Sequence, residues 1–320
     1  MKTITKWIIA AIIMMVTGAL ICGAAFAGLG FDFHKLSTAE LETNTYEVKE
    51  DFQNITVKAD IENITFLPSN DGTCKVICLE EKEYPHQVSV QGDTLTIGEN
   101  DSQKLQFFNY AVITESPKIE IYLPKDTYQA LSVDASTGNV DISKDFTFDC
   151  ISVSLDTGNI DCQASADGDV SMKTDTGHIV VSGVSASTMS LTSDTGRMDI
   201  ANAEISGDME IREDTGKVNM ENVTCRNLTS DGDTGSLVMT KVLAAGEFKI
   251  KRSTGKVEFN QCDADTIYVK TTTGSVTGSL LSEKVFITDT DTGKVDVPKT
   301  ITGGRCEITT DTGSIIISVE

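Results

Sequence analysis

The 320-residue chain is poor in several things that enzymes and helical domains are built from. Aromatic residues make up only 6% of it and proline occurs 5 times, while Thr, Ser, Asp, Val and Ile dominate. That balance suits many short strands and tight turns rather than packed helices. Histidine occurs at His34, His86 and His178 only, and no nucleophile elbow accompanies them, so Ser-His-Asp chemistry lacks its parts. No P-loop or dinucleotide fingerprint is present, and no pair of Cys-x-x-Cys clusters marks a structural zinc site. Positive charge is scarce too: 26 Lys and Arg against 48 Asp and Glu leave a net charge of −22. Such a chain repels nucleic-acid phosphates and gains no peripheral grip on anionic lipid, whereas it favours solubility and attracts cations.

What the chain does have is one short phrase, repeated. A Thr-Gly pair ends at Gly138, Gly158, Gly177, Gly196, Gly216, Gly235, Gly255, Gly274, Gly293 and Gly313, always 19 or 20 residues apart. A period of that size is the mark of a solenoid, in which no coil buries its apolar face until a neighbour stacks on it. Seven residues before the glycine stand Leu131, Ile151, Val170, Met189, Met209, Leu228, Phe248, Ile267, Phe286 and Cys306, all apolar. Two residues after it stand Val140, Ile160, Ile179, Met198, Val218, Leu237, Val257, Val276, Val295 and Ile315, again all apolar.

Alternation continues five before and four after the glycine, broken at Ser230, Thr288 and Gly278, so each repeat holds two short strands with one face inward. The variation between 19 and 20 falls in the connector from the second strand to the next coil, which reads as a loop side. The fold class is therefore all-β: a single-chain parallel β-solenoid of about ten coils over residues 131–320, forming a rod of roughly 50 Å. The turn phrase is Asp-Thr-Gly in seven copies. Glycine tolerates a positive φ there, and an Asp or Ser two residues earlier can accept a bond from the turn amide.

The N-terminus departs from this pattern. Lys2 and Lys6 precede an uncharged apolar run from Trp7 to Phe31, long enough to cross a bilayer, and the basic residues on the short side predict an N-in, C-out orientation. Residues 1–6 are thus expected in the cytoplasm, 7–31 as a transmembrane anchor and 32–45 as a linker or short stalk helix. The rival reading is a secretory signal, with Ala25-Phe26-Ala27 as its cleavage site. Residues 46–130 show strand-like alternation without a clean period and read as irregular β coils capping the membrane-proximal end, with a loop from Gly98 to Ser116. At the other end Ser314 to Glu320 reads as a bare edge strand, a template for self-association. Seven of the eight cysteines follow the apolar run. Cys162 and Cys306 sit at inward positions as small hydrophobes, and Cys74 and Cys78 share a strand face but are too far apart to bridge.

The anchor ending in Gly-Leu-Gly-Phe-Asp-Phe, the Ile-Tyr-Leu-Pro segment at Ile121 to Pro124 and the Thr-Gly ladder together resemble the bacterial membrane-anchored β-strand-repeat proteins commonly labelled "putative adhesins", a domain-of-unknown-function family. The resemblance covers nearly the whole length. It implies a cell-envelope protein and carries over no catalytic or cofactor-binding residues.

Two chemistries remain to be weighed against that. Asp-Thr-Gly is the phrase of aspartic proteases, but a proton-sharing dyad needs two carboxylates, whereas seven copies at the coil period mark a structural turn. Asp156, Asp175, Asp194, Asp214 and Asp233 form an unbroken ladder whose spacing approaches that of glycoside-cleaving carboxylate pairs, yet no sugar-binding aromatics cluster beside it. Neighbouring charges in such a ladder repel by roughly 1 kcal/mol per pair. Turn amides, the following Arg197, Lys217, Lys256 and Lys294, or a bound cation such as calcium would offset it. The reading that joins these observations is a non-enzymatic scaffold or interaction module exposed outside the cytoplasmic membrane, with an envelope protein as its partner. A surface adhesin for glycan or matrix and a polysaccharide-acting enzyme are the alternatives.

Overall fold

The computed structural model describes residues 2–28, 30, 40–98 and 116–320. Its regular part is the expected parallel solenoid, and the coil around Gly196 shows how it is made. Met189 and Leu191 point inward along the first side, the Asp194-Thr195-Gly196 turn follows, and Met198 and Ile200 point inward along the second. The chain then bends at Asn202, whose φ is 53°, and runs along a third side through Ala203 and Ile205. Each side lies in parallel register on the next coil, with Met189 opposite Met209, Met198 opposite Val218 and Ala203 opposite Val223.

The connector expected as a loop is thus a third short strand. Its corner is left-handed at Gly183, Asn202, Asn222, Lys241 and Gln261, with φ between 52° and 70°. Glycine and asparagine adopt that conformation most readily, and Asn222 donates to the Asn202 side chain at 3.1 Å, stacking two corners. The change from a 20-residue to a 19-residue offset falls between Ala244 and Glu247, at the exit from the third side, where a bulge absorbs the extra residue.

The glycines of the ladder are required by contact more than by φ. A Cβ on Gly158 would lie 1.6 Å from the Gly138 carbonyl oxygen, and one on Gly216 would lie 1.5 Å from that of Gly196. Only seven of the ten show a positive φ below 160°, but every one faces backbone within about 2 Å. The turns stack backbone on backbone, so any side chain there would force the coils apart.

That same contact reveals how the coils are ordered in space, and it corrects the expectation of a bare C-terminal edge. Gly313 packs on Gly274, and Gly293 packs on Gly313. Cys306 pairs with both Ile267 and Phe286, and Ile315 with both Val276 and Val295. The last coil in sequence is therefore inserted between its two predecessors, and the rod ends in the coil of Gly293. Phe286 is only half-buried and Val295 is exposed because they belong to that end coil, whereas the equivalent residues elsewhere are buried.

The other end uses a matching insertion. Strands Asn54–Ala59 and Asn63–Pro68 form a coil that lies between the Gly138 coil and an outer layer made of Thr94–Gly98 and Lys118–Leu123. In this inserted coil Glu62 occupies the position that Gly138 occupies in the next. Antiparallel strands then close the end: Cys74–Glu81 on Lys118–Leu123, Leu41–Val48 on Cys74–Glu81, and Gln87–Gln91 on Thr94–Gly98. The strand Leu41–Val48 starts within the stretch expected as linker; residues 32–39, with His34, and 99–115 of the expected loop lie outside the described residues.

Residues Lys2–Gly28 form one helix, of which Lys6–Gly28 is long and apolar enough to cross a membrane, and Trp7, Met14 and Met15 on it are exposed. Length and composition of this kind fit a membrane anchor or a signal sequence.

Candidate functional site

Each of the repeated corners exposes two columns of side chains. One is the acidic ladder, in which Asp156, Asp194, Asp214 and Asp233 are exposed and Asp175 is half-buried. The turn amides do not cap these carboxylates. The Gly138 and Gly158 amides donate instead to the carbonyls of Thr157 and Thr176 in the next coil, at 3.0 and 2.9 Å. Nor do the following basic residues neutralise the ladder: Arg197 pairs with Asp199 at 2.6 Å, Lys256 with Glu258 at 2.7 Å and Lys294 with Asp296 at 2.6 Å. Each reaches along its own strand to an acid two residues on. Lys173 pairs with Asp175 at 2.9 Å, and Ser253 donates to Asp233 at 3.1 Å.

The second column follows the glycine. Asn63, Asn139 and Asn159 hydrogen-bond in series at 3.0 Å, and Asn159 accepts the backbone amide of His178 at 2.9 Å. His178 is an exposed rung of this column, and its Nδ1 accepts the Arg197 amide at 3.2 Å.

The third side carries a shallow groove along the rod. Ala166, Ala186 and Ile205 line one depression, Cys225, Ala244 and Ala264 the next, and Thr224 belongs to both. Asp167, Glu204, Asp263 and Asp265 border it, and Lys284 closes its far end through a buried ion pair with Asp263 at 2.7 Å.

Two polar clusters lie inside the protein. In mid-rod, position three before the glycine points inward and is Glu213, Gly232 and Arg252 in successive coils. The Arg252 side chain fills the room left by Gly232, where a Cβ would lie 1.8 Å from its Nη1, and Nη2 donates to Ser230 at 3.0 Å. Burial raises the Glu213 pKa, a rise that the Arg252 charge partly opposes. Burial also lowers that of Arg252, against the pull of Glu213 and Asp231.

The other cluster sits in the cap and joins Glu62, Cys78, Glu80 and His86, all buried. One Glu80 oxygen accepts Tyr46 Oη and Asn44 Nδ2, each at 2.7 Å. The other accepts the His86 backbone amide at 2.7 Å and faces His86 Nδ1 at 2.5 Å. On the far side of the ring Glu62 Oε1 lies 3.4 Å from Nε2, while its Oε2 accepts the amides of Asp60 and Ile61 at 2.8 and 2.9 Å. Burial alone would depress the imidazole, but bonding to Glu62 and Glu80 outweighs it and raises its pKa to about 9. Burial pushes both carboxyls up, and the His86 contacts overcome this and hold them below the ordinary range. The Cys78 thiol is pushed up by burial and by the charges of Glu80 and Glu62.

Sequence reasoning located the acidic ladder and the turn glycines but missed the cap cluster. Its members lie up to 24 positions apart, from Glu62 to His86, and only folding brings them together. The one local signal was an acid in a glycine position, visible once Ile55 and Ile64 are aligned with Leu131 and Val140. The eight cysteines are free, with Cys22 and Cys150 exposed.

The profile of the Toastrack DUF4097 family matches residues 52–214, just over half of the chain. No curated protein sequence matches it. Among solved structures, a "putative lipid binding protein" from Parabacteroides distasonis is similar with a TM-score of 0.51 at 14% identity, over 76% of this chain and 98% of that one. A "putative adhesin" from the same organism shows a TM-score of 0.46 at 13% identity, over 88% and 98%. Another from Bacteroides fragilis shows 0.39 at 16%, over 87% and 97%. The first of these likenesses supports the fold alone.

Proposed function

This chain belongs to the Toastrack DUF4097 family, and from its geometry we propose that it is a non-enzymatic interaction module of the bacterial cell envelope, held by its N-terminal helix with the rod outside the cytoplasmic membrane. The observation that carries this reading is the parallel stacking of coils from Leu131 to Leu280, which repeats the same exposed columns at about 4.8 Å intervals. A surface of that kind offers many equivalent weak contacts along one direction. It suits an extended partner better than a small substrate, which is bound in a concave pocket with converging polar groups. The partner we infer is an envelope protein lying along the rod.

The test has two arms. A reporter enzyme that is active only outside the cytoplasm, fused after Glu320, should be active, and the intact mass of the purified chain should retain Trp7; a mature mass starting near Gly28 makes the segment a cleaved signal instead. Photo-crosslinking from exposed rungs such as Arg212 and Lys251 in cells should capture one discrete membrane protein. Capture of glycan or matrix would favour the adhesin. Turnover of a polysaccharide that is lost in Asp194→Asn, with the fold intact, would overturn the non-enzymatic reading.

A further inference from the structure

The cap cluster plays no part in the proposed contact surface, and the burial of its charge sets a condition on the fold. Glu80 is 1% exposed, Glu62 5% and His86 6%, with Cys78 fully buried beside them. Sequestering two carboxylates is expensive unless positive charge goes in with them. Among the described residues no lysine or arginine pairs with either acid, and His86 contacts both. A neutral imidazole has one ring proton and one acceptor nitrogen, so it answers one carboxylate and turns a lone pair on the other. The doubly protonated ring answers both.

The contacts fit the second state. Glu80 is saturated, since its two oxygens take Tyr46, Asn44, the His86 amide and Nδ1. Glu62 uses Oε2 for the turn amides and keeps Oε1 at 3.4 Å from Nε2, an ion-pair distance. The two acids belong to different layers. Glu62 lies in the turn between Asn54–Ala59 and Asn63–Pro68, the strands of the inserted coil, whereas Glu80 lies on Cys74–Glu81, the strand that pairs with Leu41–Val48. His86 leads directly into Gln87–Gln91, which pairs with the outer layer. One ring thereby spans the boundary between the parallel stack and the antiparallel strands that close it. The other titratable groups around it bring no positive charge: Cys78 beside Glu80, Tyr46 bonded to Glu80, Glu42 bonded to Asn44, and Asp60 bonded to Ser136. The lysines of the adjoining segments are engaged elsewhere, Lys82 by Glu40 and Lys118 by Glu120, each at 2.9 Å, and Lys75 over the Tyr122 ring.

We propose that the cap is a pH-gated clamp: the doubly protonated His86 ring pins the inserted coil to the antiparallel closure, and loss of its second proton in mild alkali loosens that end of the rod. Burial pulls the His86 pKa down, but bonding to Glu62 and Glu80 outweighs it and holds it at about 9, above the ordinary 6.5. Its contribution is therefore complete below about pH 6.5 and disappears as pH rises through about 9. Burial pushes Glu62 and Glu80 up, and the His86 contacts overcome this and hold both below the ordinary 4.5. Their contribution is present above about pH 4.5 and is lost only in stronger acid. The clamp is thus tightest between about pH 4.5 and 6.5, and from there to about pH 9 it weakens roughly tenfold for each unit. Because each coil contacts only its neighbours, the loosening stays in the cap.

The experiment uses the full chain in detergent, with its histidines labelled for NMR. The imidazole signal that is missing in His86→Gln should titrate with a midpoint above about pH 8. Hydrogen exchange, corrected for the intrinsic rise of rate with pH, should show residues 41–48 and 74–91 losing about 100-fold protection between about pH 6.5 and 9.5, while 147–273 keep theirs. Glu62→Gln leaves the Glu80 contacts in place and removes the second acid, so it should lower the midpoint of the same signal by about one unit or more and flatten the pH dependence of exchange in the cap. That variant identifies the signal and tests the clamp even where His86→Gln does not fold. A His86 midpoint below about pH 8 overturns the proposal. A midpoint above it with cap protection unchanged across the range also overturns it, and makes the charge a fixed part of the core. None of these readouts depends on the partner proposed for the rod or on the side of the membrane it faces.

Discussion

The two ends of the rod solve the same problem with the same device and finish it differently. At each end a coil near the chain terminus is inserted one layer inward, the coil of Ile55 and Ile64 at one end and that of Cys306 and Ile315 at the other. The helix-proximal end is then closed by three antiparallel strands over a cluster of buried charge and a stack of Phe52, Tyr128, Phe146 and Phe148. Among the described residues the far end has no such closure. Its last coil leaves Val285, Ile287, Val295 and Ile301 exposed, and strand Lys284–Thr292 is paired on one side only among the described residues. Insertion ties down a terminus, whereas a change of strand direction ends the stack; the cap has both and the tip has only the first.

The most severe way to break this comparison is to expel the inserted coil at the tip. Gly313→Val would drive side-chain atoms into backbone, since even a Cβ there lies 2.1 Å from the Gly274 carbonyl oxygen. It should cost about 4 kcal/mol, and hydrogen exchange should show residues 284–319 deprotected while 127–273 keep their protection, as expected of a nearest-neighbour stack. Next in size is the mid-rod interior against which both ends are judged. Arg252→Met removes the bond to Ser230 and the buried charge that partly offsets the burial of Glu213, and should cost about 1–3 kcal/mol in denaturant unfolding, whereas Glu213→Leu with Arg252→Met should return most of it.

Within the cap, Tyr46→Phe removes the 2.7 Å bond to Glu80 and should cost about 2 kcal/mol, read from the same unfolding curves. Phe286→Ala at the tip should cost only about 1 kcal/mol, against about 3–5 for the equivalent, fully buried Phe248→Ala; equal costs would mean the tip is covered in solution. The smallest effect belongs to the faces between the ends. Asp194→Asn relieves uncapped repulsion with its neighbours and should stabilise by a few tenths of a kcal/mol at low salt, a gain that disappears in about 1 M salt.

The regular coils were largely legible because their requirements are local and repeated. The apolar positions seven before and two after the glycine are buried in nine coils, and the exceptions, Phe286 and Val295, share the coil at the tip. The third strand was less legible because its corner accepts Gly183, Asn202, Lys241 and Gln261 alike, so one conformation hides under different residues. The acidic ladder lies where the spacing placed it, but its expected partners do not: the glycine amides serve the stack, and Arg197 and Lys256 turn to nearer acids. The cap cluster was invisible because antiparallel pairing and the ring of His86 assemble it across three segments.

By itself, then, the sequence determined a stack of parallel coils, its spacing, its inward residues and an apolar N-terminal helix, since a 19- or 20-residue period and alternating side chains admit little else. Tertiary structure alone decided which coil lies on which. Every coil presents nearly the same backbone edge, so Cys306 is chemically able to follow Phe286 in the stack, yet it lies between Phe286 and Ile267. That choice depends on the packing of whole layers, as does the meeting of Glu62, Cys78, Glu80 and His86, and no local pattern encodes either.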